Sequence, residues 1–326
     1  MLIASHGKND TLFDGHLGID HHGGIYSRFE FFFTADLNFS HSEWTALTQV
    51  AMVTLGVALL CFVVGELTNN NSQVDKLWSL IPIYYGWHFA AAAGFEPRTN
   101  IMAILVTLWG LRLTYNFARR GGYSLKFWGG EEDYRWSVLR QTPALQSRWT
   151  WMLFNLCFIC LYQNALILLF TLPILEAWRH SYNALGTADC LVAGAMFLLI
   201  VMETLADQQQ YVYQTEKHRR LNAAKNGDAS QSNDPYYKKG FTHTGLWKYM
   251  RHPNYAAEQG IWICFYLFTV SAGSTWINWS IIGAVLLLFL FRGSSDFSEN
   301  ITAAKYPEFD EYRKRTPRFI PWKFWM

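Results

Sequence analysis

Residues 46–65 read ALTQVAMVTLGVALLCFVVG, twenty positions without a charge. A helix of about 20 apolar residues crosses the hydrocarbon core of a bilayer, and in lipid only a helix satisfies the backbone of a lone segment. Working outward from this run, further apolar stretches occupy residues 77–95, 101–118, 149–175, 188–206, 256–272 and 276–291. The expectation is therefore an all-α, polytopic membrane bundle of about seven transmembrane helices. Composition agrees: 51% of the 326 residues are hydrophobic and only 16% charged, against roughly 25% charged in soluble domains.

Lysine and arginine give the bundle a direction. Twenty-two lie in the segments after the first, third, fifth and seventh runs, and four (Lys8, Arg28, Arg98, Arg179) lie on the other side. The positive-inside rule then puts the N-terminus in the lumen or outside and the C-terminus in the cytosol. A net charge of +2, with its cations spread over loops, argues against nucleic-acid binding. All five cysteines fall in apolar runs, so no disulfide framework is indicated. Residues 1–44 read as a flexible lumenal arm without a signal peptide; its histidines (His6, His16, His21, His22, His41) lack metal-site spacing. Residues 45–326 read as one membrane domain, with 220–234 a disordered cytosolic loop on composition.

Ionisable residues inside apolar runs are costly, by roughly 3 kcal/mol each, and mark candidate sites. Arg112, Tyr115 and Arg119 are spaced three and four apart, which predicts one helical face leading to the cytosol and suited to an anion. Glu203 and Asp207 share another face and need a partner between them. In RHPNYAAEQG, residues 251–260, Pro253 predicts a helix start. Arg251 and His252 would then stand beside free amide groups, with Asn254, Tyr255 and Glu258 on the first turns. Glu299 closes the set from the tail. Glycine-rich dinucleotide fingerprints are absent.

The motifs NSQVDKLWSL, WGLRLTYNFARRGG, EEDYRW, ETLADQQQ, GLWKYMRHPNYAAEQGIW and SENITAAKYPEFDEYRKRTPRFIP run in this order from Asn71 to about Trp322. With them the chain resembles the steroid 5α-reductase and sterol reductase superfamily, and most closely its branch with a 3-oxo-5α-steroid 4-dehydrogenase-like C-terminal domain. The resemblance implies an oxidoreductase that holds NADPH on the cytosolic side and reduces an activated C=C bond in an apolar, sterol-like substrate drawn from the bilayer. It implies Arg112, Arg119, Arg135, Asp207, Arg251, His252, Asn254, Tyr255, Glu258 and Glu299 around the cofactor, and Tyr115 and Asp75 near the chemistry. No metal is implied. The tail reads GSSDFS where steroid enzymes are histidine-rich, which weakens a steroid as the substrate. RHPNY with KYPEFDEY is also similar to isoprenylcysteine and phospholipid methyltransferases, which use S-adenosylmethionine. A lipid-binding protein without catalysis is the third reading. The endoplasmic reticulum is expected for a eukaryotic source and the inner membrane for a bacterial one.

Overall fold

In the computed structural model the described residues are 33–34, 37–126, 128–226 and 234–321. Helix α1, His41–Thr68, begins with a reciprocal cap: Ser40 Oγ accepts from the Glu43 amide, and the Glu43 carboxylate accepts from the Ser40 amide. Each bond satisfies a donor that the first turn leaves free. It ends at Asn69 in the left-handed conformation, φ 54°. The short helix α2, Gln73–Leu77, leads into α3, Ile81–Ala92, and α4, Pro97–Ala118, starts with proline in its first turn behind the cap of Glu96. A cytosol-assigned loop carries α5, Tyr134–Arg140.

Helix α6, Arg148–Arg179, is continuous but not uniform. Asn155–Tyr162 is wound as a π-helix, and Asn164 Nδ2 donates to the Cys160 carbonyl at 2.8 Å just beyond it. Phe154, Phe158 and Tyr162 stack four residues apart, with ring centres 5.0 and 5.4 Å apart. Helix α7, Thr187–Lys225, extends 39 residues. It is followed by α8, Pro235–Lys238, then α9, Pro253–Ser271, α10, Ile281–Lys305, and α11, Phe309–Arg315. The one strand pairing among the described residues joins Phe33–Thr34 to Ile277–Asn278 in parallel.

The all-α membrane bundle is as expected, but the runs are not equivalent. Five helices are long and apolar enough to cross a membrane: α1, α4, α6, α7 and α10. The second expected run holds a helix of only 12 residues, because the chain breaks between α2 and α3. The sixth, α9, has 19 residues whose first turns carry Asn254, Glu258 and Gln259. Other boundaries also moved. Helix α7 continues through residues 220–225, which the composition had assigned to a disordered loop; alanines and paired charges such as Arg220 with Glu216 at 2.7 Å sustain it. Residues 227–233 and almost all of the N-terminal arm lie outside the described residues.

Cross-ties fix the directions of the central helices. At one end Arg98, fully buried, bonds both carboxylate oxygens of Asp189 and the carbonyls of Asn183 and Ala184, while Ser271 also donates to Asp189. At the other end Asp207 accepts from Arg112 and Asn254. Helices α4 and α7 are thus parallel, with α9 antiparallel to both. Tight packing comes from small residues. A Cβ on Gly283 would sit 2.2 Å from the Leu169 backbone, so α10 lies directly on α6. In the core Trp262 packs edge-on to Trp109 at 4.9 Å and against Phe170 at 4.0 Å.

Candidate functional site

At the end of the bundle where Arg112 stands, a cavity of about 710 Å³ opens between α2, α4, α5, α6, α7, α9 and α10. Small-molecule and cofactor sites run to roughly 300–1,000 Å³. One wall is apolar, with Leu113, Phe117, Phe158, Phe289, Leu290 and Phe297. The facing end is polar, with Glu203, Asp207, Asn254 and Glu258, and with Arg120 and Arg135 at its side. The π-wound stretch of α6 brings Phe158, Tyr162 and Gln163 to this cavity; such widened turns recur at functional positions.

Behind the polar end, Arg112 binds three acids on two helices. Its Nη1 donates to Asp207 Oδ2 at 2.7 Å; its Nη2 lies 2.7 Å from Glu203 Oε1, off the angle of a hydrogen bond, and 4.0 Å from Glu258 Oε2. Asn116 also donates to Asp207 at 2.8 Å, and Asn254 does so at 3.3 Å. Glu258 is held from the core by the indole N–H groups of Trp109, at 2.6 Å, and Trp262, at 3.1 Å. Two acceptors in this cluster are left over, and so are two donors, Arg112 Nε and Nη2. Glu203 Oε2 and Asn254 Oδ1 are buried with no hydrogen-bond partner, and both residues line the cavity. An unmet buried acceptor costs about 1–3 kcal/mol, and these two are open to donors such as hydroxyls or an amide NH₂.

The loop motifs build the adjoining wall. Ser72 Oγ accepts from the Asp133 amide at 2.9 Å, and Glu132 Oε1 accepts from the Asn71 amide at 2.7 Å. These bonds join NSQVDKLW to EEDYRW and place Asp75, Tyr134, Arg135 and Trp136 on the cavity. Arg135 pairs with Asp133 at 2.7 Å. Tyr134 is 53% exposed overall, but desolvation at its cavity-facing hydroxyl pushes it up to about 12, so it stays protonated as a donor. Burial also raises the Asp75 carboxyl, against the opposing pull of Arg135. Because the folded form holds this proton more tightly than an unfolded aspartate, ionisation of Asp75 works against folding. Its contribution is full below the ordinary 3.8 and is lost as the pH rises through the higher folded value. Asp75→Asn is therefore expected to raise the thermal midpoint by a few degrees at about pH 7.5 and to leave it unchanged near pH 4. Melting curves of both proteins at the two pH values check this; an unchanged midpoint at the higher pH would contradict the sign.

Of the residues singled out in the sequence, Asp75, Arg135, Asp207, Asn254, Tyr255 and Glu258 line the cavity. Others lie elsewhere. Tyr115 is 66% exposed, on the same outward face as the exposed Ile104, Leu108 and Leu111, and it is not at the cavity. Arg119 is also turned aside, bonded to Asn116 and stacked 4.2 Å over Tyr211. Arg112 is enclosed by carboxylates and is not an open anion track. Arg251, His252 and Glu299 form a separate network: Glu299 Oε1 meets Arg251 Nε and His252 Nε2, each at 2.8 Å. The backbone amides of Arg251 and His252 donate to the carbonyls of Pro317 and Arg318, so the tail is bonded to the two residues that precede the helix. Arg120 was missed. Arg112 and Asn116 lie on the inward face of α4, and Arg120, two residues beyond its end, continues a spacing of four that the stripe through Tyr115 passed over.

Residues 61–316 match the family described as "Protein of unknown function (DUF1295)". The chain belongs to the DUF1295 family. The uncharacterized protein C594.04c of Schizosaccharomyces pombe is 34% identical over 314 residues, covering 90% of this chain and 86% of the yeast protein. No solved structure matches the chain significantly. The matched DUF1295 region runs from Cys61 on α1 to Thr316 beyond α11 and contains every cavity-lining residue.

Proposed function

We propose that this protein is an NADPH-dependent reductase of an activated C=C bond in a membrane-soluble lipid or sterol-like substrate. The observation that carries the reading is one cavity with two chemistries: an apolar wall for a lipid, continuous with a polar end whose Glu203 Oε2 and Asn254 Oδ1 lack partners. The resemblance to the steroid 5α-reductase and sterol reductase superfamily supports it independently. Asn254, Asp207 and Glu203 fit the hydroxyl and amide donors of a dinucleotide, and Arg120, half-exposed and only 3.9 Å from Asp207, fits its phosphates. When bound, the cofactor supplies a hydride to one carbon of the alkene.

The other carbon takes a proton, and the protein's own acids serve that side. Tyr134 faces the cavity as a protonated hydroxyl, and Asp75, whose carboxyl is raised by burial, also lines it. Donation from the Tyr134 hydroxyl to a conjugated carbonyl oxygen stabilises the charge that develops there. The apolar wall excludes water and aligns the alkene. Seven crossings, with the cytosolic orientation set by the basic loops, give a soluble cofactor access to this end; the endoplasmic reticulum in a eukaryote, or the inner membrane in a bacterium, is the matching location.

One observation favours a second reading. Five carboxyl residues line the cavity against two arginines, a balance that suits the sulfonium and ammonium of S-adenosylmethionine. Ligands that bind only the folded state stabilise it, by about 2.7 kcal/mol at a hundredfold excess over Kd. Purified protein in detergent is expected to melt later with NADPH and to be unmoved by S-adenosylmethionine. The reverse result would establish the methyltransferase reading, and no shift with either would favour a non-catalytic lipid-binding protein.

A further inference from the structure

A second, smaller cavity of about 230 Å³ lies where α10 meets the C-terminal tail, lined by Arg251, Arg292, Arg313, Lys314 and Arg318 with Thr316 and Pro317. Its charges are not balanced. Glu299 pairs with Arg251 at 2.8 Å and lies 3.7 Å from Arg318; Asp296 pairs with Arg318 at 2.6 Å and Arg292 at 3.4 Å; Asp310 pairs with Arg313 at 2.9 Å. Five cations thus face three carboxylates. Arg318 Nε is buried without a hydrogen-bond partner, while Arg292 and Lys314 are exposed.

We infer that this pocket is a binding site for a phosphate monoester, independent of the larger cavity and of the reaction proposed for it. The surplus of two positive charges matches a phosphate dianion, and arginine forks bind phosphate oxygens in pairs. Position points to the source. Arg292 directly follows the uncharged run IIGAVLLLFLF of residues 281–291, which places the pocket at the level where a helix leaves the hydrocarbon. Ile320, two residues beyond Arg318, is 70% exposed and able to lie against acyl chains. Basic pockets at the cytosolic surface take anionic headgroups. A phosphomonoester lipid such as phosphatidic acid has the required chemistry; a soluble phosphate ester shares it.

The test uses the full chain and the variant Arg292→Gln/Lys314→Gln, whose two positions are exposed. Native mass spectrometry after incubation with phosphatidic acid or phosphatidylcholine is expected to retain phosphatidic acid on the wild type and to lose about tenfold or more of that adduct in the variant, the loss of one strong ionic contact or more. That result assigns the site to a lipid headgroup. If instead phosphatidic acid does not discriminate, but glycerol 3-phosphate raises the thermal midpoint of the wild type and not of the variant, the phosphate comes from solution. If neither ligand distinguishes the two proteins, the pocket is not a phosphate site and the inference fails.

Discussion

Arg112→Ala is expected to cost about 3–5 kcal/mol of stability, because it leaves buried carboxylates without their counter-charge. The residue joins α4 to α7 through Asp207 and Glu203, each at 2.7 Å, and stands 4.0 Å from Glu258. All three acids are buried, so water cannot replace the guanidinium. Lysine is not an adequate substitute, since a single ammonium cannot reach two carboxylates with the geometry of a planar fork. A second change separates this account from a simple packing defect. Asp207→Asn in the Arg112→Ala background removes one uncompensated charge while keeping its volume, and is expected to recover part of the loss. Thermal or denaturant unfolding of the two single variants and the double variant in detergent measures the coupling. Additive losses would show that the arginine acts by filling space rather than by holding the acids apart.

The bundle was legible because lipid imposes a strong constraint: a run of apolar residues has few structural options. Runs that end in function were read less well. Helix α9 begins at Pro253, as its sequence predicts, but its polar first turns serve the cavity rather than the bilayer. The short α2, which leads into α3, follows a loop, at residues 69–72, that packs against Glu132 and Asp133. That contact spans about sixty residues of sequence and leaves no local signal.

The site was legible in part for the same reason. Glu203 and Asp207 call for a cation, and the cation is Arg112. Which face of α4 turns inward was not decided by charge alone: 112, 115 and 119 are spaced as well as 112, 116 and 120. The stripe of Ile104, Leu108 and Leu111 continues to Tyr115, marking that side as outward, and this apolar pattern was the signal that could have separated them. RHPNY was taken as one unit, yet the chain divides it at Pro253. Arg251 and His252 precede the helix and are bonded to the tail, whereas Asn254 and Tyr255 are helical and line the cavity. Proline marks the helix start from sequence; the tail that claims the preceding residues is some sixty positions away.

The central claim is that the larger cavity holds NADPH at its polar end. Asn254 is the most informative position, because it is half-buried, its Nδ2 donates to Asp207, and its Oδ1 faces the cavity without a partner. Titration of NADPH into the purified wild type and Asn254→Ala, followed by calorimetry, tests this directly. Loss of a buried polar contact to the ligand is expected to weaken binding by about tenfold or more, with the melting midpoint of the free protein little changed. An equal Kd in the two proteins, or no NADPH binding by the wild type, would contradict the claim.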